Sequence, residues 1–512
     1  MPEARLGPAR AAAIAALAAV AMGTWLGGAG RLSYHEAIWA QSAREMIAGG
    51  GAIVPTLDGR PWLEKPPLGT WLIAATSWLV GGVGEASARV PSVVAAALLS
   101  LAVAALAARR FGAGVGLVAG CVQATTTWMV TRGRLAEADI LLAAMIAWAM
   151  VALDRIRAEE GGRRWRWAFF ALLGATALVK GIGFGAALVG AATVVVLAWD
   201  RDAKAARALL WPPGWALATA VALAWPLAAL GRYPSALGLW VAHVAGRLAA
   251  RPEHFAGEPW WLYGSSPLWQ TLPWTPLALA GAWRSWGRAR REAGGADRLL
   301  WAWAVAPSAL VSLASVRNAH YLVHALPPWS IWTALALARL GERVREWGWS
   351  PAWVRRGAVA GFAAVGVAWA LGYGVLGPRL DRRGGEWAFY EAAGRALRPG
   401  EPLALLYDDW DRRPYPSPFG PMPHDLAVRL FYLARPACWR EDVADLLERP
   451  PAPASAAFAV IARDRDVPAL VRLGRVEVVA RGPMTRRDRA YLLLRVTPGG
   501  WRMADSRFEI PK

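Results

Sequence analysis

Cysteine, lysine and asparagine are nearly missing from this sequence. Two cysteines, Cys121 and Cys438, occur in 512 residues, too few for a disulfide framework or a cysteine-rich zinc domain. Only four of the 57 basic residues are lysine, and Asn318 is the sole asparagine. With abundant Arg, Ala, Gly and Pro, this bias marks a GC-rich genome, so the lysines that occur beside apolar runs, Lys65 and Lys180, are informative. Charge is scarce too. The charged fraction is 18%, against about 25% in soluble domains, which excludes a simple soluble enzyme. The 56% hydrophobic content excludes a disordered chain. No Walker, Gly-x-Ser-x-Gly or His-Glu-x-x-His motif is present. Nucleotide-driven chemistry, a nucleotide cofactor and serine hydrolysis therefore lose support.

What is present is hydrophobic and rich in tryptophan. There are 32 Trp against ten Tyr and eleven Phe, and the mean hydropathy is +0.28. A membrane span needs about 20 apolar residues. Runs that approach this length lie at 11–25 with its flanks, 92–109, 114–131, 139–154, 167–182, 183–199, 212–231, 266–283, 299–315, 320–338 and 357–376. The expectation is an α-helical polytopic membrane protein with about eleven transmembrane helices, the first an uncleaved anchor. The net charge of +20 sits in short loops between these runs, as a positive-inside signal does, and does not call for a nucleic-acid partner. The basic loops at 109–110, 155–166, 201–207, 284–298 and 339–356 alternate with the others. Placing them inside puts the N-terminus in the cytoplasm and everything after about residue 380 outside.

The opposite loops are 28–90, 132–138, the turn near 180–183, 232–265 and 316–319. Segments 34–48 and 68–83 read as helices lying in the outer interface, where Trp62, Trp71, Trp78, Trp260, Trp261 and Trp269 suit the headgroup level. The last 130 or so residues change character. Strand-like segments at 403–407, 458–462, 476–479 and 491–496 interleave with helical ones at 441–447 and 467–473. The expected division is a membrane domain over 1–380, with outer loops 28–90 and 232–265, and a soluble extracytoplasmic α/β domain over 381–512.

The residues capable of chemistry cluster in the outer loops. Tyr34-His35-Glu36 follows the first span, and a titratable group there is either a base or an interfacial anchor. Glu64-Lys65-Pro66-Pro67 fixes an acid and an amine on an elbow that the prolines keep out of a helix. Arg132, Arg134, Glu137 and Asp139 crowd one short loop, where Asp139 also suits a helix N-terminus. Lys180-Gly181 joins two closely spaced runs. His243, Arg247, Arg251 and His254 precede Pro259-Trp260-Trp261, and Ser315 to Tyr321 forms a basic turn. Singly, each has a structural explanation. Together they suit an anionic lipid headgroup, since Arg and Lys bind phosphate by charge-assisted hydrogen bonds and a carboxylate or His can accept a hydroxyl proton.

The stretch from His35-Glu36-Ala37-Ile38-Trp39-Ala40-Gln41-Ser42-Ala43-Arg44-Glu45-Met46 through Ile53-Val54-Pro55-Thr56-Leu57-Asp58-Gly59-Arg60-Pro61-Trp62-Leu63-Glu64-Lys65-Pro66-Pro67 resembles the GT-C superfamily of polyprenyl-phosphate-sugar glycosyltransferases. The nearest groups are the protein O-mannosyltransferases and the bacterial aminoarabinose–lipid A transferases. Weaker echoes are Ala138-Asp139, Lys180-Gly181, His254, Pro273-Trp274 and 315–321. The resemblance implies an inverting sugar transfer at the outer face of the bacterial cytoplasmic membrane. The donor would be a polyprenyl-phosphate sugar, and the acceptor a lipid-linked glycan, lipid A or a protein. It implies donor-phosphate contacts from Lys65, Lys180, Arg317, His320 and Tyr321, an acceptor- or sugar-shaping role for Asp139, and a divalent metal held by Glu64 and His254. The family's first outer loop usually opens with Asp-Glu, and the Asp is the expected base. Here His35-Glu36 stands in its place, leaving His35 or Glu36 as the base. Two other classes remain open: a lipid-linked-sugar transporter, which paired repeats and midplane polar groups would favour, and a non-catalytic scaffold.

Overall fold

Alanine and glycine carry little side-chain bulk, so the apolar runs form helices that approach one another closely. The computed structural model describes residues 6–28, 30–160, 162–249, 259, 261–314, 317–381, 384–406, 414–415, 422–423, 425–453, 456–484 and 490–498. The chain divides into two compact units, one of residues 1–29, 42–56 and 61–378, the other of residues 30–41, 57–60 and 379–512.

In the first unit, helix Glu85–Phe111 packs on Ala113–Thr125 and on Ala138–Arg157, which in turn packs on Arg163–Ala175. Phe184–Asp200 lies against Ala296–Ser312, and Thr275–Arg291 against Pro327–Glu346. The last pair depends on Gly281, where a Cβ would stand 2.0 Å from the Trp332 carbonyl oxygen, far inside the usual contact distance. Among the described residues, Glu85–Phe111, Pro212–Leu230 and Pro351–Leu380 are long and apolar enough to cross a membrane. The pair Ala113–Thr125 and Thr127–Gly133, bent by 61°, adds a fourth if it counts as one span. The bend falls at Thr126, whose hydroxyl accepts the Met129 N–H at 3.4 Å and caps the second segment. Helices such as Ala138–Arg157 and Pro327–Glu346 have the length, but charged residues crowd their ends.

The basic loops are tied to one another by acids. Arg109 and Arg110 both engage Asp154, which is fully buried, and Arg109 and Arg155 share Glu160. Arg157 and Arg298 share Asp200, and Arg288 pairs with Asp297 at 2.7 Å. A buried carboxylate requires such partners. The loops near 109–110, 154–160, 200–202 and 288–298 therefore meet at one end of the helices.

The second unit is built on a five-stranded sheet. Its strands are β1 (Leu403–Leu406), β2 (Cys438–Arg440), β3 (Phe458–Arg463), β4 (Gly474–Met484) and β5 (Ala490–Pro498). Their order is β2-β1-β3-β5-β4, parallel across the first three and antiparallel from β3 onward. Leu406, Val460, Leu492 and Leu494 pack on one face with Leu446 and Leu470 from helices Val443–Glu448 and Val467–Val471. The alternate residues Leu405, Ile461 and Leu493 are equally buried on the other face. β4 runs well beyond the alternating segment at 476–479. Register shifts between Val478 and Ala480 and between Arg481 and Met484 break its period of two. Helix Leu426–Leu433 is buried all round, which leaves no polar face for a periodicity to reveal.

Candidate active site

The cluster at the opposite end of the helices starts from a helix N-terminus. Asp139 stands in the first turn of Ala138–Arg157 and is 6% exposed. The helix dipole favours an anion there, but burial demands cations as well. Lys180 Nζ pairs with one carboxylate oxygen of Asp139, and Arg132 Nη2 approaches the other at 3.4 Å while also pairing with Glu137. Lys180 reaches this place because its short helix, Ala177–Lys180, stops at Gly181, whose φ of +92° suits only glycine.

An aromatic wall surrounds the ammonium. Lys180 Nζ lies 4.7 Å from the Tyr321 ring centre and 5.2 Å from that of Phe184, within cation–π range. Phe184 is 5.6 Å from Tyr321 and 6.0 Å from His324, and His320 is 4.5 Å from Tyr321. Tyr321 and His324 share a face of the 3₁₀ helix Ala319–Ala325 because residues three apart eclipse there. His324 is fully buried, and neither ring nitrogen has a hydrogen-bond partner among the described residues. Arg317, just before this helix, donates from Nε to the Ser312 carbonyl at 3.3 Å.

The Glu64-Lys65 elbow is held by its backbone. Lys65 Nζ lies 2.9 Å from Glu64 Oε1, and the Glu64 side chain is 5% exposed. Trp240 donates its indole N–H to the Leu63 carbonyl at 2.8 Å, Trp225 to Ile53 at 2.8 Å and Trp71 to Ala52 at 2.7 Å. Helix Leu68–Leu79, which leaves the elbow, packs on Ala177–Lys180.

His35 and Glu36 belong to the second compact unit. Glu36 is 1% exposed and accepts the Ser33 N–H at 2.9 Å, while the Ser33 hydroxyl accepts the Glu36 N–H at 3.3 Å. This is a capping box at the start of helix Tyr34–Ile47. His35 is exposed, its ring 3.8 Å from that of Tyr34. Of the two base candidates, Glu36 has a structural task and His35 faces outward.

The expected metal pair is half in view. His254 lies outside the described residues, and Glu64 pairs with Lys65. Among the described residues no three His, Cys, Asp or Glu are grouped to hold a metal ion. Phe184, His324 and Tyr263 (which bonds to Asn318) are site residues that sequence reasoning missed. The repeat of aromatic rings at 321 and 324 is the signal that was available.

The sequence profile of the family described as dolichyl-phosphate-mannose-protein mannosyltransferase matches residues 64–228, from the elbow past Lys180. The undecaprenyl phosphate-alpha-4-amino-4-deoxy-L-arabinose arabinosyl transferase of Edwardsiella ictaluri is 30% identical over 362 residues, covering 67% of this chain and 63% of that protein. The Pseudomonas aeruginosa protein of the same name is 30% identical over 329 residues, covering 60% of this chain and 56% of its own. The crystal structure of ArnT from Cupriavidus metallidurans bound to undecaprenyl phosphate superposes with a TM-score of 0.74 at 18% identity, covering 95% of this chain and 97% of that one.

The chain shares the fold of that crystal structure and is similar in sequence to proteins named as aminoarabinosyl transferases. It spans slightly under two thirds of the length of the curated relatives it matches, 63% for the Edwardsiella protein. The matched segment 64–228 contains Glu64, Lys65, Arg132, Asp139, Lys180 and Phe184. The 3₁₀ helix carrying Tyr321 and His324 packs on Ala138–Arg157 from beyond that segment.

Proposed function

We propose that this protein is an inverting glycosyltransferase of the bacterial cytoplasmic membrane. Its donor is a sugar on undecaprenyl phosphate or a similar polyprenyl phosphate, and its acceptor is a lipid-linked glycan, lipid A or a protein. The observation that carries the reading is the convergence of Lys180, Asp139, Arg132 and Tyr321 beside the helix that leaves the Glu64-Lys65 elbow. Relatives named as undecaprenyl phosphate-alpha-4-amino-4-deoxy-L-arabinose arabinosyl transferases support the reading.

In this reading the acceptor hydroxyl attacks the anomeric carbon from the face opposite the phosphate. The bond between that carbon and the phosphate oxygen breaks, and its electron pair leaves with the polyprenyl phosphate. Lys65, Arg317, Lys180, His320 and Tyr321 hold and neutralise the departing phosphate. Asp139 fixes Lys180 in place and shapes the sugar site. The base that takes the acceptor proton is His35 or Glu36. Phosphate is already a good leaving group, so orientation and charge stabilisation supply most of the catalysis.

The membrane domain spans residues 1–380 with about eleven crossings. The meeting of four basic loops at one end of the helices supports placing that end, with the N-terminus, in the cytoplasm. The Asp139–Lys180 cluster and the 381–512 domain then face outward. A transfer assay decides the reading: membranes containing the protein are given radiolabelled undecaprenyl-phosphate aminoarabinose and lipid A. Label in the lipid A fraction that requires Lys65 and Lys180 supports it. Wild-type membranes that transfer no label to lipid A, glycolipid or protein acceptors contradict it.

A further inference from the structure

Resting on the donor-phosphate reading, we propose that Tyr263 is a positioning residue that sets the aim of Arg317, His320 and Tyr321. Tyr263 stands on helix Leu262–Gln270 and is 5% exposed. Its hydroxyl accepts the Asn318 N–H at 3.1 Å and donates to the Asn318 carbonyl at 3.2 Å. One side-chain oxygen thus serves both backbone groups of a single residue, as a neighbouring strand would. The Asn318 carbonyl also accepts the Tyr321 N–H at 3.0 Å, the bond that opens the 3₁₀ turn. Tyr263 therefore grips the peptide from which the Tyr321 turn begins. Gln270, seven residues later on the same helix and fully buried, donates from Nε2 to the Ala319 carbonyl at 3.0 Å. Two consecutive carbonyls are tied to one helix.

The segment needs this support. Asn318 is extended, with φ −136° and ψ 133°, and its side chain makes no capping bond to the 3₁₀ helix. A short 3₁₀ helix has poor hydrogen-bond geometry of its own. Arg317 and Tyr321 flank the gripped peptide, so a rotation at Asn318 would swing both away from a shared phosphate. Burial pushes the Tyr263 hydroxyl up to about 12, so it stays a donor throughout the physiological range. No ligand contact by Tyr263 is invoked, and it acts through the backbone of 318–319.

The test uses the full chain, purified in detergent, with undecaprenyl phosphate alone as probe. Removing one hydroxyl that makes two hydrogen bonds should weaken binding by about tenfold. Tyr263→Phe is expected to show that loss, together with exchange of the Asn318 amide hydrogen at least severalfold faster, at an unchanged unfolding midpoint. Gln270→Leu should give a smaller loss of the same kind. Wild-type affinity and wild-type Asn318 exchange in Tyr263→Phe would overturn the proposal, as would losses that merely track a lowered unfolding midpoint. If the wild type itself binds no undecaprenyl phosphate, the donor reading fails and this inference with it. Intact wild-type binding with an indifferent Tyr263→Phe sinks the clamp alone.

Discussion

Removing Lys180 should damage the protein more than removing Lys180 and Asp139 together. In the single variant Lys180→Met, Asp139 stays buried with its carboxylate 3.4 Å from Arg132, a cation already paired with Glu137. Stranding one member of a buried pair costs ~3–5 kcal/mol. The partial help from Arg132 places this case near the lower end, at about 3 kcal/mol. Replacing both partners by apolar residues of similar size, Lys180→Met with Asp139→Leu, removes the stranded charge and should recover at least about 2 kcal/mol. Reversible unfolding in mixed micelles, titrated with a denaturing detergent, gives the four corners of the double-mutant cycle. Sugar transfer should be lost in all three variants, because the phosphate site loses its ammonium or the anchor of that ammonium. A double variant no more stable than Lys180→Met would refute the buried-pair argument. A Lys180→Met protein with full transfer activity would refute the assignment of Lys180 to the donor site.

Three further outcomes follow from single residues. Glu36→Ala should lose about 1 kcal/mol of stability through the broken capping box, while Glu36→Gln keeps it, and calorimetry of the two variants separates them. Gly281→Val places a side chain where a Cβ alone would be 2.0 Å from the Trp332 oxygen; it should destabilise by ~3 kcal/mol or prevent folding, and a wild-type unfolding midpoint would contradict that packing. Arg495 donates to Glu401 at 2.6 Å, and this hydrogen bond holds the Glu401 carboxyl below its usual value. A depressed carboxyl contributes stability that is present above its unfolded pKa and is lost as pH falls through the folded one. Protection factors for hydrogen exchange in 490–498, taken relative to the intrinsic rate at each pH, should therefore fall on acidification in the wild type and fall less in Glu401→Gln.

Much of this architecture could be read from the sequence because its signals are local. Prolines 66 and 67 announce the elbow, and Gly181 announces the stop that delivers Lys180. Strands β1, β3 and β5 fall on the segments that their apolar residues mark. What escaped depends on contacts distant in sequence or on burial from all sides. The bond between Tyr263 and Asn318 joins residues 55 apart, and nothing in either segment advertises it. Helix Leu426–Leu433 has no polar stripe. The Ser33–Glu36 capping box was readable from its spacing, and it gives Glu36 a helix-capping bond. The acids 154, 160 and 200 knit the basic loops together through pairings that no local pattern marks.

The most direct test of the account is transfer of a radiolabelled sugar from undecaprenyl phosphate to lipid A by purified protein in lipid vesicles. Wild type is compared with Lys65→Ala, Lys180→Met and His35→Ala. The account predicts transfer with inversion at the anomeric carbon, abolished in Lys65→Ala and Lys180→Met while all three variants retain a wild-type-like fold by circular dichroism; loss in His35→Ala as well assigns the base to His35 rather than Glu36. Transfer that survives in Lys65→Ala and Lys180→Met, or labelled donor carried across the bilayer with no sugar transferred, would contradict it.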